Sequence, residues 1–239
     1  MHYQPGAADD ARTVAALLPA AVARVEAVLG RRFARPAAIG VYASDDAFAA
    51  ASAGSRAAAV TLLGHVVLSP ALFAGERARL AAILTHELSH AHLQGAMPGL
   101  TFYRLPNWFK EGLGVMVSDG GGAERVTEAE AGEAIARGER IVIDGEGSWL
   151  NLSRVRFQGP AGSGQMAYRQ AGMFVSFIRD RDPAGFARMM DAILDGRPFA
   201  EAVETGFGVD PPELWTASVR GRGSRGGTPR GLPSKDLRP

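Results

Sequence analysis

The chain contains no cysteine among its 239 residues. That single absence removes disulfide frameworks, thiolate zinc sites, iron–sulfur clusters and cysteine nucleophiles together. Any metal must be held by His, Asp, Glu or backbone oxygen. Long apolar runs are missing too: no stretch approaches the roughly 18 consecutive apolar residues of a membrane helix. Charge of one sign is scarce, with a net of only +1. What imbalance exists sits at the end. From Ala217 to Pro239, Arg220, Arg222, Arg225, Arg230, Lys235 and Arg238 face the single acid Asp236. The rest of the chain is therefore mildly acidic, which argues against a nucleic-acid footprint.

Hydrophobic residues make up 46% and charged residues 21% of the chain, the balance of a folded globular protein. At this length the chain buries enough surface to fold without a staple. The expected organisation is one folded body over residues 8–216 and a disordered basic tail over 217–239. The tail is Gly/Pro/Ser-rich and almost free of apolar residues. It reads as a frayed terminus, or as a contact for an anionic surface. The opening segment lacks the basic-then-apolar order of a signal peptide. The expectation is a cytoplasmic protein as written, or an exported one if a leader has been removed.

Ala8 to Leu29 carries Val14, Leu17, Leu18, Val22, Val25, Val28 and Leu29 at helical spacing. Ala37 to Ala43 predicts a strand, and Ser44 caps a short helix through Ala51. Ala57–Leu63 and His65–Ser69 predict a hairpin joined at Gly64. Helices follow: Glu76 to Gln94, closed by Gly95; Asn107 to Ser118, opened by Pro106; Glu128 to Arg137; Ala167 to Asp180; Ala184 to Asp195; Phe199 to Thr205; and Pro211 to Val219. A short strand is expected at Ile141–Ile143 within an irregular Gly-rich stretch. Strands come early and helices late. The predicted class is α+β, a small mixed sheet followed by a helical half that carries the metal.

The decisive residues are His86-Glu87-Leu88-Ser89-His90, the pattern H-E-x-x-H inside a helix. At about 100° per residue, His90 lies only about 40° round from His86 and one turn away, so both rings reach one ion. Glu87 flanks the pair. A zinc ion needs neutral imidazoles at about 2.0–2.1 Å and an open position for water. A neighbouring carboxylate takes a proton from that water and delivers it to the leaving amine. In a chain with only 5 His, a chance match is expected at well under about 1%. The competing reading is a His pair and a Glu satisfied by local hydrogen bonds.

Such a site needs a third protein ligand. His92 faces away on the helix. A His six positions after His90 would suggest a metzincin, but that position is Ala96. The candidate is Glu111, within Pro106-Asn107-Trp108-Phe109-Lys110-Glu111-Gly112-Leu113-Gly114. Its neighbours Trp108, Phe109, Leu113 and Val115 argue against a solvated acid, because unpaired buried carboxylates are costly.

H-E-L-S-H followed by P-N-W-F-K-E-G-L resembles the gluzincin zinc peptidases, specifically the peptidase MA-like group, over most of residues 10–215. The resemblance implies a zinc-dependent peptide hydrolase with His86, His90 and Glu111 as ligands and Glu87 as general base. It departs from the thermolysin-like pattern at Val115, where those enzymes carry an Asp that orients a ligand His. Asp119 or a backbone carbonyl must serve instead. The G-x-M-E-N signature of large aminopeptidases is also absent.

The donor that steadies a developing oxyanion is sought among four tyrosines. Tyr3 is terminal, Tyr42 mid-strand and Tyr103 lies between the ligand helices. Tyr168 stands on the inward stripe of a helix with Ala171, Val175 and Ile178, in an A-Y-x-x-A setting that the family also shows. It is the candidate, against a packing role for the same ring; His65 at the hairpin turn is the weaker alternative. The substrate is expected to be a peptide or protein, pairing with an exposed sheet edge. Val66-Val67-Leu68 is the candidate edge; the other reading is an inner core strand. Two competing functions remain: a catalytically silent metal- or peptide-binding module of the same fold, and a nucleic-acid-associated protease recruited by its tail. The oligomeric state is not legible.

Overall fold

A computed structural model describes residues 1–145, 155–160 and 164–223. The protein is a mixed α+β structure with a small sheet and a large helical part. The sheet comprises β1 (His2–Tyr3), β2 (Ala38–Val41), β3 (Ala59–Leu62) and β4 (His65–Leu68), in the order β1-β2-β4-β3. β1 and β2 pair in parallel, as do β2 and β4, while β3 and β4 form an antiparallel hairpin. Leu63 and Gly64 both have positive φ, which matches the turn that right-twisted hairpin strands favour. The expected hairpin is therefore present, but the expected edge is not. Val66–Leu68 lies in β4, bonded on both sides, and β3 is the outer strand. The parallel pairing of β2 with β4 internalises it. β1 adds a strand ahead of the body expected to begin at residue 8.

α1 (Ala8–Leu29) lies along the helical half and packs against α4 (Leu80–Ala96) and α5 (Asn107–Val117). Arg24 Nε donates to the Val117 carbonyl at 2.9 Å, fixing α1 against the end of α5. α2 (Asp45–Ala51) starts at Ser44, whose hydroxyl accepts from Ala47 N–H as a cap should. α3 (Ala71–Ala74) is a single extra turn.

Two boundaries of α4 differ from expectation. Arg77–Arg79 form a separate 3-10 turn, so the helix begins at Leu80. Gly95 does not stop it. The helix runs through Ala96 and ends at Met97, which is extended with ψ 147°. Met97 precedes Pro98, and a residue before proline is driven out of the helical region.

α6 (Glu128–Ala136) opens with a full capping box between Thr127 and Glu130. The following strand is β5 (Arg140–Ile141), paired with β6 (Phe157–Gln158), so the expected Ile141–Ile143 strand begins one residue early and ends sooner. α7 (Gly164–Arg181), α8 (Pro183–Leu194), α9 (Phe199–Phe207) and α10 (Pro211–Gly223) complete the chain. α10 carries the fold past residue 216: Ser218 is buried and the helix ends at Gly223, so the first part of the expected tail is helical. The remainder, 224–239, lies outside the described residues.

One apolar core joins these helices. Trp108, Phe109, Phe174, Phe199 and Trp215 form an aromatic chain with neighbouring centroids 4.8 to 5.8 Å apart. Each such pair adds about 0.5–1.5 kcal/mol beyond the area it buries. α5 and α7 approach so closely that a Cβ on Gly112 would stand 2.6 Å from the Ala171 carbonyl oxygen. That contact brings Glu111, on α5, to the helix that carries Tyr168.

Candidate metal centre

α4 is buried on almost every face. Leu80, Ile83, Leu84, Leu88 and Leu93 pack into the core, which leaves the polar residues between them pinned. His86, Glu87 and His90 are each under a tenth exposed. The one-turn spacing does what the helix geometry dictates: His86 Nε2 and His90 Nε2 lie 3.1 Å apart. α5 delivers Glu111 Oε2 to 3.2 Å from His86 Nε2 and 3.7 Å from His90 Nε2. With bonds of 2.0–2.1 Å, donors around a tetrahedral zinc stand about 3.3 Å apart. The three separations fit that figure. The group His86, His90 and Glu111 can hold a metal ion.

The chain sets the tautomer of His86. Its Nδ1 lies 2.8 Å from the Gly121 carbonyl, which can only accept. Nδ1 therefore carries a hydrogen, which leaves Nε2 as the atom that meets a metal once its own proton is lost. The orienting group is thus a backbone carbonyl. Asp119 is exposed and supplies only a left-handed turn, with φ 57°. The carbonyl is held by its own supports. Gly121 N donates to Ser118 Oγ at 2.9 Å, and Ser118 Oγ donates to the Gly114 carbonyl at 2.6 Å. Arg169, beside Tyr168 in α7, donates to the carbonyls of Val126 at 2.7 Å and Ala123 at 3.0 Å. Glu124 and Glu76 bracket Arg79, and Arg125 also reaches Glu76, tying this loop to the turn before α4.

Two glycines make room for this packing. A Cβ on Gly114 would meet three atoms of the His86 ring at 2.7–2.8 Å. A Cβ on Gly121 would meet the Ala82 carbonyl oxygen at 2.5 Å. His86 is thus clamped between the backbones of α5 and the loop after it.

Glu87 points from the other side of α4 toward the sheet. Thr61 Oγ1, on the outer strand, donates to Glu87 Oε2 at 2.7 Å and lies 3.0 Å from the Glu87 carbonyl. Farther along α4, Gln94 accepts from Gly64 N–H and reaches the Thr61 carbonyl, so hairpin and helix are stitched together. His92 faces away, as expected: its Nε2 lies 3.0 Å from the Arg31 carbonyl and its ring stands edge-on to Phe33. His65 is exposed at the hairpin turn and does not line the site.

Tyr168 lies one turn inside α7 instead of at its start, because the helix begins at Gly164. Its ring stacks on His86 with centroids 6.2 Å apart and planes 13° from parallel, and its hydroxyl lies within the influence of the Glu111 charge. His86, Glu87, His90, Glu111 and Tyr168 line a cavity of about 880 Å³, bordered by Ala57–Leu62 on the sheet side.

The electrostatics reflect the convergence of these three donor atoms. Burial pushes His86 down, but the hydrogen bond and charge of Glu111, with the charge of Glu87 and the Gly121 carbonyl, hold it up at about 9. Burial pushes Glu111 up, and the charges and hydrogen bonds of His90 and His86 hold it well below the usual carboxylate range. Burial, then the charge of Glu111, push the Tyr168 hydroxyl well above its ordinary value, so it keeps its proton. Burial lowers Lys110, opposed by the charge of Glu111.

Sequence reasoning missed Thr61, the Gly121 carbonyl, Gly114 and Lys110. The Asp119-Gly120-Gly121-Gly122 run was legible only as a helix stop, although three consecutive glycines beside a candidate ligand helix also signal close backbone approach. Comparison with known proteins returns no matching family model, no similar curated protein and no similar solved structure. Among the described residues, no helix is long and apolar enough to cross a membrane.

Proposed function

We propose that the chain is a zinc-dependent peptide hydrolase of the gluzincin type. The observation that carries this reading is the convergence of His86 Nε2, His90 Nε2 and Glu111 Oε2 at separations of 3.1, 3.2 and 3.7 Å, with Glu87 beside them in the same cavity. The two-nitrogen, one-carboxylate donor set suits zinc. When bound, zinc supplies an electrophile that polarises a carbonyl and makes water acidic near neutral pH.

The chain's own groups do the rest. Glu87, held by Thr61, takes the proton from the attacking water and returns it to the leaving nitrogen. Tyr168, protonated and lining the same cavity, donates to the carbonyl oxygen as it gains charge. β3 offers a place for the substrate. Leu62 and His65 close a two-residue turn, so Val60 and Leu62 bond to β4 and the backbone groups of Ala59 and Thr61 turn outward. An extended peptide can add to that edge and run past the metal centre.

The test is elemental analysis of the purified chain and its Glu87→Gln form, with cleavage of a peptide library. Gln is nearly isosteric but cannot accept the proton, so zinc should remain near one per chain while turnover falls about 10²–10⁴-fold. Zinc without turnover in the unmodified chain would assign the silent metal-binding module. No zinc uptake on titration would end both readings.

A further inference from the structure

Lys110 is a cation that the fold buries and that no described carboxylate pairs with directly. It is only 4% exposed. Lysine is almost never this buried unless paired. It sits on α5 immediately before Glu111 and lines the same cavity as the metal centre. Its Nζ stands 5.1 Å from the centroid of the Phe102 ring, and the other side of that environment is His90, whose ring is 6.1 Å from the same centroid. The ring offsets only part of the cost of removing an ammonium from water.

The other cations of the cavity are accounted for. Arg79 is bracketed by Glu76 and Glu124, and Arg125 pairs with Glu76. The cavity's acids are committed as well: Glu111 to His86 and His90, Glu87 to Thr61. Among the described residues no carboxylate lies within ion-pair distance of Lys110 Nζ. With a divalent ion held by His86, His90 and Glu111, the Glu111 charge would be offset, and Lys110 would be a positive charge in the cleft with no counter-charge among the described residues.

We propose that Lys110 binds an anionic group of the substrate, either its terminal carboxylate or an Asp/Glu side chain, and so makes the site selective for acidic peptides. This rests on the peptide-binding half of the function proposed above, but not on turnover. The charge is presented at a fixed place beside the centre, on a rigid buried helix. A carboxylate there gains a partner in a low-dielectric cleft, and a neutral group there leaves the ammonium unpaired.

The experiment measures binding on the zinc-loaded full chain, with Glu87→Gln to prevent cleavage. One fluorescent peptide sequence is made in forms that differ only in charge: Glu against Gln along the chain, and free against amidated C-terminus. The acidic form should bind about tenfold or more tightly, the scale of a buried charge contact. Whether the side-chain or the terminal series carries the effect identifies which carboxylate Lys110 takes. In Lys110→Met, which keeps the apolar stem, the preference should vanish while zinc content and affinity for the neutral peptide stay put; Lys110→Gln provides a second form if Met folds poorly. Equal affinities for acidic and neutral peptides with Lys110 in place would overturn the proposal, whatever hydrolysis shows. So would a preference that survives in both variants. Acid-selective binding that depends on Lys110, in a chain that cleaves nothing, would uphold it and overturn the catalytic reading.

Discussion

Thr61 on the outer strand donates its hydroxyl to Glu87 Oε2 at 2.7 Å, linking the sheet edge to the carboxylate of the H-E-x-x-H helix. The two residues are 26 positions apart in sequence. The bond fixes the Glu87 side chain beside the outer strand; under the proposed function the same strand would serve both substrate and general base.

Thr61→Val tests that link. Valine keeps the branched shape but removes the donor, leaving a buried carboxylate oxygen without its partner. Turnover is expected to fall by about tenfold through misplacement of the base, less than the loss from Glu87→Gln. Zinc content should be unchanged, and Thr61→Ser should restore most of the rate. Full activity in Thr61→Val, measured as kcat on one peptide, would reduce the bond to ordinary packing.

The pairing of His86 with Glu111 predicts opposite pH responses for the metal-free and metal-loaded protein. His86 is held up at about 9, against 6.5 for the unfolded chain. Its contribution to metal-free stability is therefore complete below about pH 6.5 and is lost as pH rises through about 9. Glu111 is held low, so its contribution is present above its unfolded value near 4.5 and is lost as pH falls through its lowered folded value. Chelator-treated protein should melt at a higher temperature at pH 6 than at pH 9.5. Zinc must displace the His86 proton, so affinity should keep rising, about tenfold per pH unit, through pH 7 to 8.5. Competition with a chelator across that range checks this. An affinity flat above pH 7 would mean that His86 is already neutral in the metal-free site.

What was legible in the sequence followed from short range. His86 and His90 were readable because four residues make one helical turn, and that needs no knowledge of the fold. Glu111 was readable because Trp108, Phe109 and Leu113 around it left an acid with no solvent to face. The hairpin showed in the two short strand-like runs on either side of Gly64. Which of its strands lies outside did not, because the parallel pairing of Ile39 with Val66 joins elements far apart in the chain. Thr61 and the Gly121 carbonyl were illegible for the same reason. One is an unremarkable strand threonine and the other a backbone atom, and each acquires its role only when α4 is laid against the sheet and the loop after α5. The end of α4 was misread because Gly95 is a weaker stop than the Met97-Pro98 step that follows it.

Tyr168 can serve either of two roles, and its position beside His86 and Glu111 suits both. Its hydroxyl lies near the Glu111 charge and its ring lies close to parallel to His86 at 6.2 Å. If the hydroxyl serves the reaction, it turns its proton to the developing oxyanion once an ion takes the Glu111 carboxylate. Its raised pKa keeps that proton in place across the neutral range. Tyr168→Phe keeps the ring and its stacking, so zinc content and melting temperature should barely move. Loss of one oxyanion donor costs about 2.7–4 kcal/mol, so kcat should fall about 10²–10³-fold. KM should change little, because the bond strengthens only in the transition state. If the hydroxyl only orients Glu111, the pattern reverses: zinc affinity falls, as it does about 10–100-fold when an outer partner of a ligand is lost, and kcat of the zinc-saturated enzyme is retained. Zinc titration and kcat at saturating zinc, measured on the same preparation, distinguish the two because each role moves one quantity and leaves the other in place.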